Sequence, residues 1–349
     1  MIELDATDAL EVLAWVRGER PGGCVALNAP AGSVVPAPGV PQGLVSSVQI
    51  YDTPIGSIAI KTVKRTAAPR PWLEPNALMA REIAVLESLS RIRAPSTVNT
   101  IAVARDPGLV VMQAVTESRR VDQVTGVSTT DIESVAECLG ELHKTWLPSS
   151  ADRVPWIAED DLWRHILDDS PSCLDEFVVR FANVFGKFDP SILRKIVRIG
   201  DIIDVAVPLR NDPLRIASLD LRSDNILWSF GSKMRFIDWQ FATLAPGASD
   251  LAVTIGTSAA HVSPRLIQSA ISIYSRASGT DLGDATRGFA VGLVLRTAMT
   301  IPISIYLPHR DLVSARKRDV AIHRLTTCLG IVSKEVSEVV GRAGPSLRR

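Results

Sequence analysis

Ser218-Leu219-Asp220-Leu221-Arg222-Ser223-Asp224-Asn225, with Met234–Trp239 (MRFIDW) shortly after it, is the stretch on which the reading of this chain turns. Asp220 and Asn225 have D-x-x-x-x-N spacing, and thirteen positions beyond Asn225 an apolar run with strand character ends in Asp238. Phosphoryl transfer from a nucleotide needs a carboxylate for the attacking hydroxyl, ligands for magnesium and a cation on the phosphates. Magnesium takes oxygen ligands and keeps several waters, so Asn225 and Asp238 with phosphate oxygens suffice as its protein ligands. Asp220 would then face an acceptor hydroxyl as base or positioning group. Arg222 has two readings, a cation on the transferred phosphate or a solvated loop charge.

Upstream, Leu44–Val63 holds two β-rich runs around Thr53-Pro54-Ile55-Gly56, which predicts a hairpin. Glu74–Ile92 carries apolar residues at helical spacing and predicts an amphipathic helix. Leu109–Val115 reads as a short apolar strand. Nearer the start, Thr7–Glu19 predicts a helix closed by Pro21-Gly22-Gly23, and Val25–Gly43 an irregular connection with at most one strand. Beyond Val121 the pattern turns helical, with Thr130–Trp146 first and one or two helices over Leu162–Phe185. Strands with one helix followed by helices predict an α+β, bilobal fold with a small β-rich N-lobe and a larger, mainly helical C-lobe. The expected division is 1–42 as an N-terminal helix and irregular extension, 43–116 as the N-lobe, and 117–349 as the C-lobe.

Composition narrows the function classes. The 349 residues are 46% apolar and 22% charged with zero formal net charge, so nothing pulls the chain toward nucleic acid. Cys24, Cys138, Cys173 and Cys328 lie far apart with no metal-ligand spacing, and the N-terminus lacks the basic start and apolar core of a secretory signal. The expectation is a reduced, cytoplasmic protein. Phe289–Leu307 is apolar for nearly a membrane span, but Arg296 at its middle and Pro302 predict a buried C-lobe helix and no membrane association.

SLDLRSDNIL followed by FIDW resembles the catalytic loop of the aminoglycoside phosphotransferase and choline kinase-like families, whose fold is protein-kinase-like. LRSDNILW and APGASDLA look closest to a bacterial branch similar to the ecdysteroid kinase-like proteins. The likeness runs from about Gly43 to Leu307 and is specific over Asp220–Leu251. It implies ATP, with GTP the alternative, and Mg2+. It also implies that Ile58-Ala59-Ile60-Lys61 is the strand that brings Lys61 to the phosphates, with Ala59 on the same face. Lys64 is the rival for that contact. Glu82 would be the ion-pair partner of Lys61, and Ser46 and Val48 would belong to a G-x-x-S-x-V loop starting at Gly43. Gln113 and Val115 would offer backbone groups to the adenine, and Asp250 would brace the catalytic loop. The chain departs from the family pattern at Ser218 and Leu219, where histidine and glycine are usual.

Only twelve positions separate Asp238 from Asp250, too few for a long activation segment, so no protein substrate is expected. Polycationic acceptors call for an acidic surface, whereas 259–349 holds thirteen Lys/Arg against six Asp/Glu. The expected acceptor is a small-molecule hydroxyl, by preference on a neutral or apolar alcohol. An aminoglycoside-type antibiotic kinase and a weakly active nucleotide-binding pseudokinase are the alternatives. His143, Trp156, Trp163 and Trp228 read as core or rim packing, and Glu159-Asp160-Asp161 as a helix start.

Overall fold

The computed structural model describes residues 1–19, 23–30, 35–36, 46–64, 70–115, 118–119, 121, 123–146, 160–197, 214–229, 234–306 and 312–342. The loop start Gly43-Leu44-Val45, the lobe boundary at Glu117, Trp156, Glu159 and Leu307 lie outside the described residues.

The chain opens with β1 (Ile2–Glu3) and α1 (Ala6–Val16), the helix capped by Asp5, whose carboxylate accepts the Asp8 amide. β2 (Val35–Pro36), β3 (Ser46–Thr53) and β4 (Gly56–Val63) follow, then α2 (Pro75–Arg91), β5 (Thr100–Ala104) and β6 (Leu109–Gln113). They form one six-stranded sheet in the order β1-β5-β6-β4-β3-β2, antiparallel except for β1 against β5. The predicted hairpin is present, with Thr53 opposite Gly56 and Val48 opposite Lys61. Strand alternation sorts β4 into two faces. Ile58 and Ile60 pack outward with Val12, Trp15 and Val111 into a small second core, while Ala59 packs toward the main core. The leading segment thus adds the two edge strands β1 and β2 and a covering helix to this sheet.

The large lobe begins with β7 (Ser118–Arg119) and α3 (Thr129–Thr145), whose Ser128 and Asp131 form a reciprocal capping box. Then come α4 (Asp161–Arg180), α5 (Ala182–Phe185), α6 (Ser191–Val197), β8 (Leu214–Ala217), β9 (Ile226–Ser229), β10 (Met234–Phe236) and β11 (Thr243–Pro246). α7 (Ser249–Ser258), α8 (Pro264–Ser278), α9 (Leu282–Tyr306), α10 (Leu312–Ile331) and α11 (Ser333–Arg342) complete the chain. β8 pairs with β11 and β9 with both β7 and β10, all antiparallel.

α9 is the apolar segment flagged by the sequence. Its most apolar window is 83% buried inside the protein, as a core helix requires. It runs close beside α7 because Gly292 carries no side chain: a Cβ there would sit 2.5 Å from Ser249 Cα. Gly288, one turn earlier on the same face, lies against Pro246 and Ala248. Arg296 is the next residue of that row. All four cysteines are free thiols.

Candidate active site

The catalytic-loop sequence leaves β8 and turns sharply at Leu219, whose φ of 53° is left-handed. That conformation costs an L-residue about 1–2 kcal/mol, so Leu219 must be held there. Asp250, in the first turn of α7, accepts the amides of Ser218 and Leu219 at 2.8 and 2.7 Å. Burial pushes its carboxyl up to about 7, against the pull of the two amides. Arg296 holds the next peptide, its Nη1 donating to Leu219 O at 3.2 Å and to Asp220 Oδ1 at 2.7 Å. Ser218 contributes less: its Oγ lies 3.4 Å from both Asp238 O and Asp220 N.

Asp220 is 4% exposed and bears two guanidinium groups on one oxygen, since Arg222 Nε also stands 3.0 Å from Oδ1. Arg222 is half-buried and turned onto Asp220, unlike a solvated loop charge. Asn225 donates Nδ2 to Asp220 O at 2.7 Å and to Oδ2 at 3.2 Å.

On the opposite wall, Lys61 Nζ lies 2.5 Å from Glu82 Oε2 and 2.6 Å from Asp238 Oδ1. Burial pulls the lysine pKa down, but the two carboxylates outweigh it and the net shift is upward. Glu82 is raised by burial despite the neighbouring ammonium. Asp238 follows β10 with a left-handed φ of 66° and is the more exposed partner. Arg81, beside Glu82, makes a two-point ion pair with Asp160, at 2.5 and 2.7 Å, and donates to Ala242 O at 3.1 Å. α2 is thereby tied to the large lobe at the residue next to the lysine's partner. Asp160 also caps α4 through the Leu162 amide, the helix start read from sequence.

Ser46 is buried opposite Val63, Val48 lies opposite Lys61, and Ala59 lies opposite Met112 of β6. The Gln113 amide already donates to Asn99 O and the Ala114 amide to Ser57 O, both at 2.9 Å. The Gln113 side-chain Oε1 also lies 3.4 Å from Asn99 Nδ2. Val115 is half-buried next to it.

Residues read as packing are packing. His143 is buried with Nδ1 2.9 Å from the Tyr274 hydroxyl and Nε2 2.9 Å from Ile216 O. Trp163 and Trp228 are buried, their ring nitrogens donating to Phe241 O and Ser223 O. Sequence reasoning did not foresee Arg81 or Arg296 in the site. For Arg296 a signal existed: a charge inside an apolar helix must find a partner when buried.

The oxygen donors suit magnesium. Among the described residues no three His, Cys, Asp or Glu gather into a metal cage, so a cation here would complete its shell with phosphate and water. Asn225 and Asp238 carry oxygens of the kind such a cation takes.

Residues 61–288 match the model of a phosphotransferase enzyme family, a span that includes Lys61, Glu82, Asp220, Asn225, Asp238 and Asp250. The chain belongs to this family. It is a small-molecule kinase with the α+β bilobal fold of that family. The phosphotransferase resembles an ethanolamine kinase from Plasmodium vivax at 15% identity and a TM-score of 0.57, over 88% of this chain and 85% of the other. A choline/ethanolamine kinase family protein from Mesorhizobium loti gives 13% and 0.53, over 89% and 92%. The choline kinase of Streptococcus pneumoniae gives 13% and 0.52, over 85% and 94%, and has also been solved with AMP. At these identities the likeness is one of fold. No curated protein matches the phosphotransferase.

Proposed function

We propose that this phosphotransferase moves the γ-phosphoryl group of MgATP to the hydroxyl of a small neutral or apolar alcohol. The observation that carries the reading is Lys61 of the small lobe meeting Asp238 of the large lobe 2.6 Å away, within the same site as Asp220 and Asn225. Lys61 would hold the nucleotide phosphates, and Glu82 would hold Lys61. Asn225 Oδ1 and Asp238 would bind magnesium, which when bound neutralises charge on the phosphate oxygens. Asp220 would take the acceptor's proton as the acceptor oxygen bonds to phosphorus. The bridging O–P bond breaks and ADP leaves. The AMP-bound relative supports adenine nucleotide use. Four free thiols support a reducing compartment, for which we propose the cytoplasm.

The acceptor class follows from charge. Asp220 is already faced by two arginines, which disfavour a polycation beside it. ADP release should be measured with matched acceptors, choline beside its uncharged isostere 3,3-dimethylbutan-1-ol, other alcohols, and an aminoglycoside panel. Stimulation by the neutral alcohols is expected. Stimulation by choline or aminoglycosides alone would overturn the acceptor class.

A further inference from the structure

Leu219 and Asp220 carry the geometry on which transfer depends, and both are held by a residue far away in sequence. Leu219 sits in a left-handed conformation that its side chain disfavours, fully buried, with its amide fixed by Asp250. Its carbonyl is fixed by Arg296 alone among the side chains described. The same nitrogen, Nη1, donates to Asp220 Oδ1. Ser218 cannot supply this support, because its short hydroxyl reaches its neighbours only at 3.4 Å. Arg296 is itself placed by the row Gly288, Gly292, Arg296, where the absent side chains bring α9 against Ala248 and Ser249.

We propose that Arg296 is the positioning residue of this site. It clamps the Leu219–Asp220 peptide and holds the carboxylate through Oδ1, fixing the orientation in which Oδ2, which also accepts from Asn225 Nδ2 at 3.2 Å and Arg222 Nη2 at 3.5 Å, meets the acceptor hydroxyl. The inference rests on the phosphotransferase reading of Asp220. Arg296 is 9% exposed, and its Nε has no hydrogen-bond partner among the described residues. Simple packing of an apolar helix would not retain so poorly satisfied a cation. Burial lowers its pKa, and Asp220 beside it offsets this only in part.

The test uses the full chain with MgATP, water serving as acceptor, and reads kcat and KM for wild type, Arg296→Met and Arg296→Lys. The Met variant is expected to lose about a hundredfold in kcat, the worth of a well-placed base, with KM for MgATP within about threefold. Lysine restores the charge without the two-pronged reach and should recover about tenfold of that loss. A folded Met variant with kcat near wild type overturns the proposal, as does a loss carried by KM or a Lys variant no better than Met. If the Met variant does not fold, the Lys variant decides alone. It should show kcat about tenfold down at unchanged KM, and either wild-type kcat or failure to fold overturns the role. Should the wild type neither hydrolyse MgATP nor phosphorylate any acceptor, the phosphotransferase reading fails first. Normal turnover in both variants would defeat only the role of Arg296.

Discussion

Lys61 Nζ stands between Glu82 and Asp238, 2.5 Å from one carboxylate and 2.6 Å from the other, although 177 positions separate it from Asp238. Removing the ammonium would leave Glu82, 2% exposed, unpaired next to a second carboxylate. Lys61→Met should therefore destabilise the fold by about 3–5 kcal/mol, the cost of breaking a buried pair from one side. Lys61→Met with Glu82→Gln should recover part of this in urea unfolding. Additive losses in the double variant would show that the two side chains are not coupled.

Asp220 and Asp238 should fail in different ways. Asp220→Ala is expected to lose at least about a hundredfold in rate while still binding nucleotide. Asp238→Ala should abolish the magnesium dependence of nucleotide binding in titration calorimetry. Equal rates in the first variant, or unchanged magnesium dependence in the second, would remove the assigned role.

Gly292→Ala should injure the site from a distance. The new methyl would fall 2.5 Å from Ser249 Cα and 2.5 Å from Ser249 O, both backbone atoms that cannot swing aside. Overpacking of this kind costs about 1–3 kcal/mol. It also shifts the helix that carries Arg296, so kcat should fall along with the melting temperature. Gly330→Ala is the control, since its methyl meets nothing within 4 Å and should stabilise α10 by about 0.5–1 kcal/mol.

Acid should weaken the large lobe through His143. Burial, then the charge of Arg215, lowers its pKa from 6.5 to about 3. The unfolded chain holds the extra proton between those values, so this contribution to stability is lost as pH falls from 6.5 toward 3. Between pH 6.5 and 5 the loss is about 2 kcal/mol. Comparing urea midpoints of wild type and His143→Gln across that interval isolates it; parallel curves would show that the imidazole does not titrate as buried.

The elements legible in the sequence were those with a strong period or turn signal: the hairpin over 44–63, α2 and α3. β5 was not legible, because TIAVA is five residues of mostly small side chains, without a turn signal strong enough to frame it. In the site, Asp220, Asn225 and Asp238 were readable because their spacing is local chemistry. Arg296 is 76 positions from Asp220, and only the close approach of α9 to α7 makes them neighbours. Arg81 was hidden for a similar reason, its partner Asp160 lying in the other lobe. Leu219 looked like a weakened motif, and its left-handed backbone explains what the position demands.

The pairing of Ile2 and Glu3 with Ala102 and Val103 bears on how the protein is made. At roughly 5–20 residues per second, α1 and β1 leave the ribosome about 5–20 s before β5 and β6 exist to receive them. A helix of eleven residues is marginal alone in water, so its apolar side, with Trp15, stays uncovered through that interval. These early residues are then among the last of the small lobe to settle. Slow elongation before residue 113 would lengthen the exposure of nascent chains to chaperones and proteases.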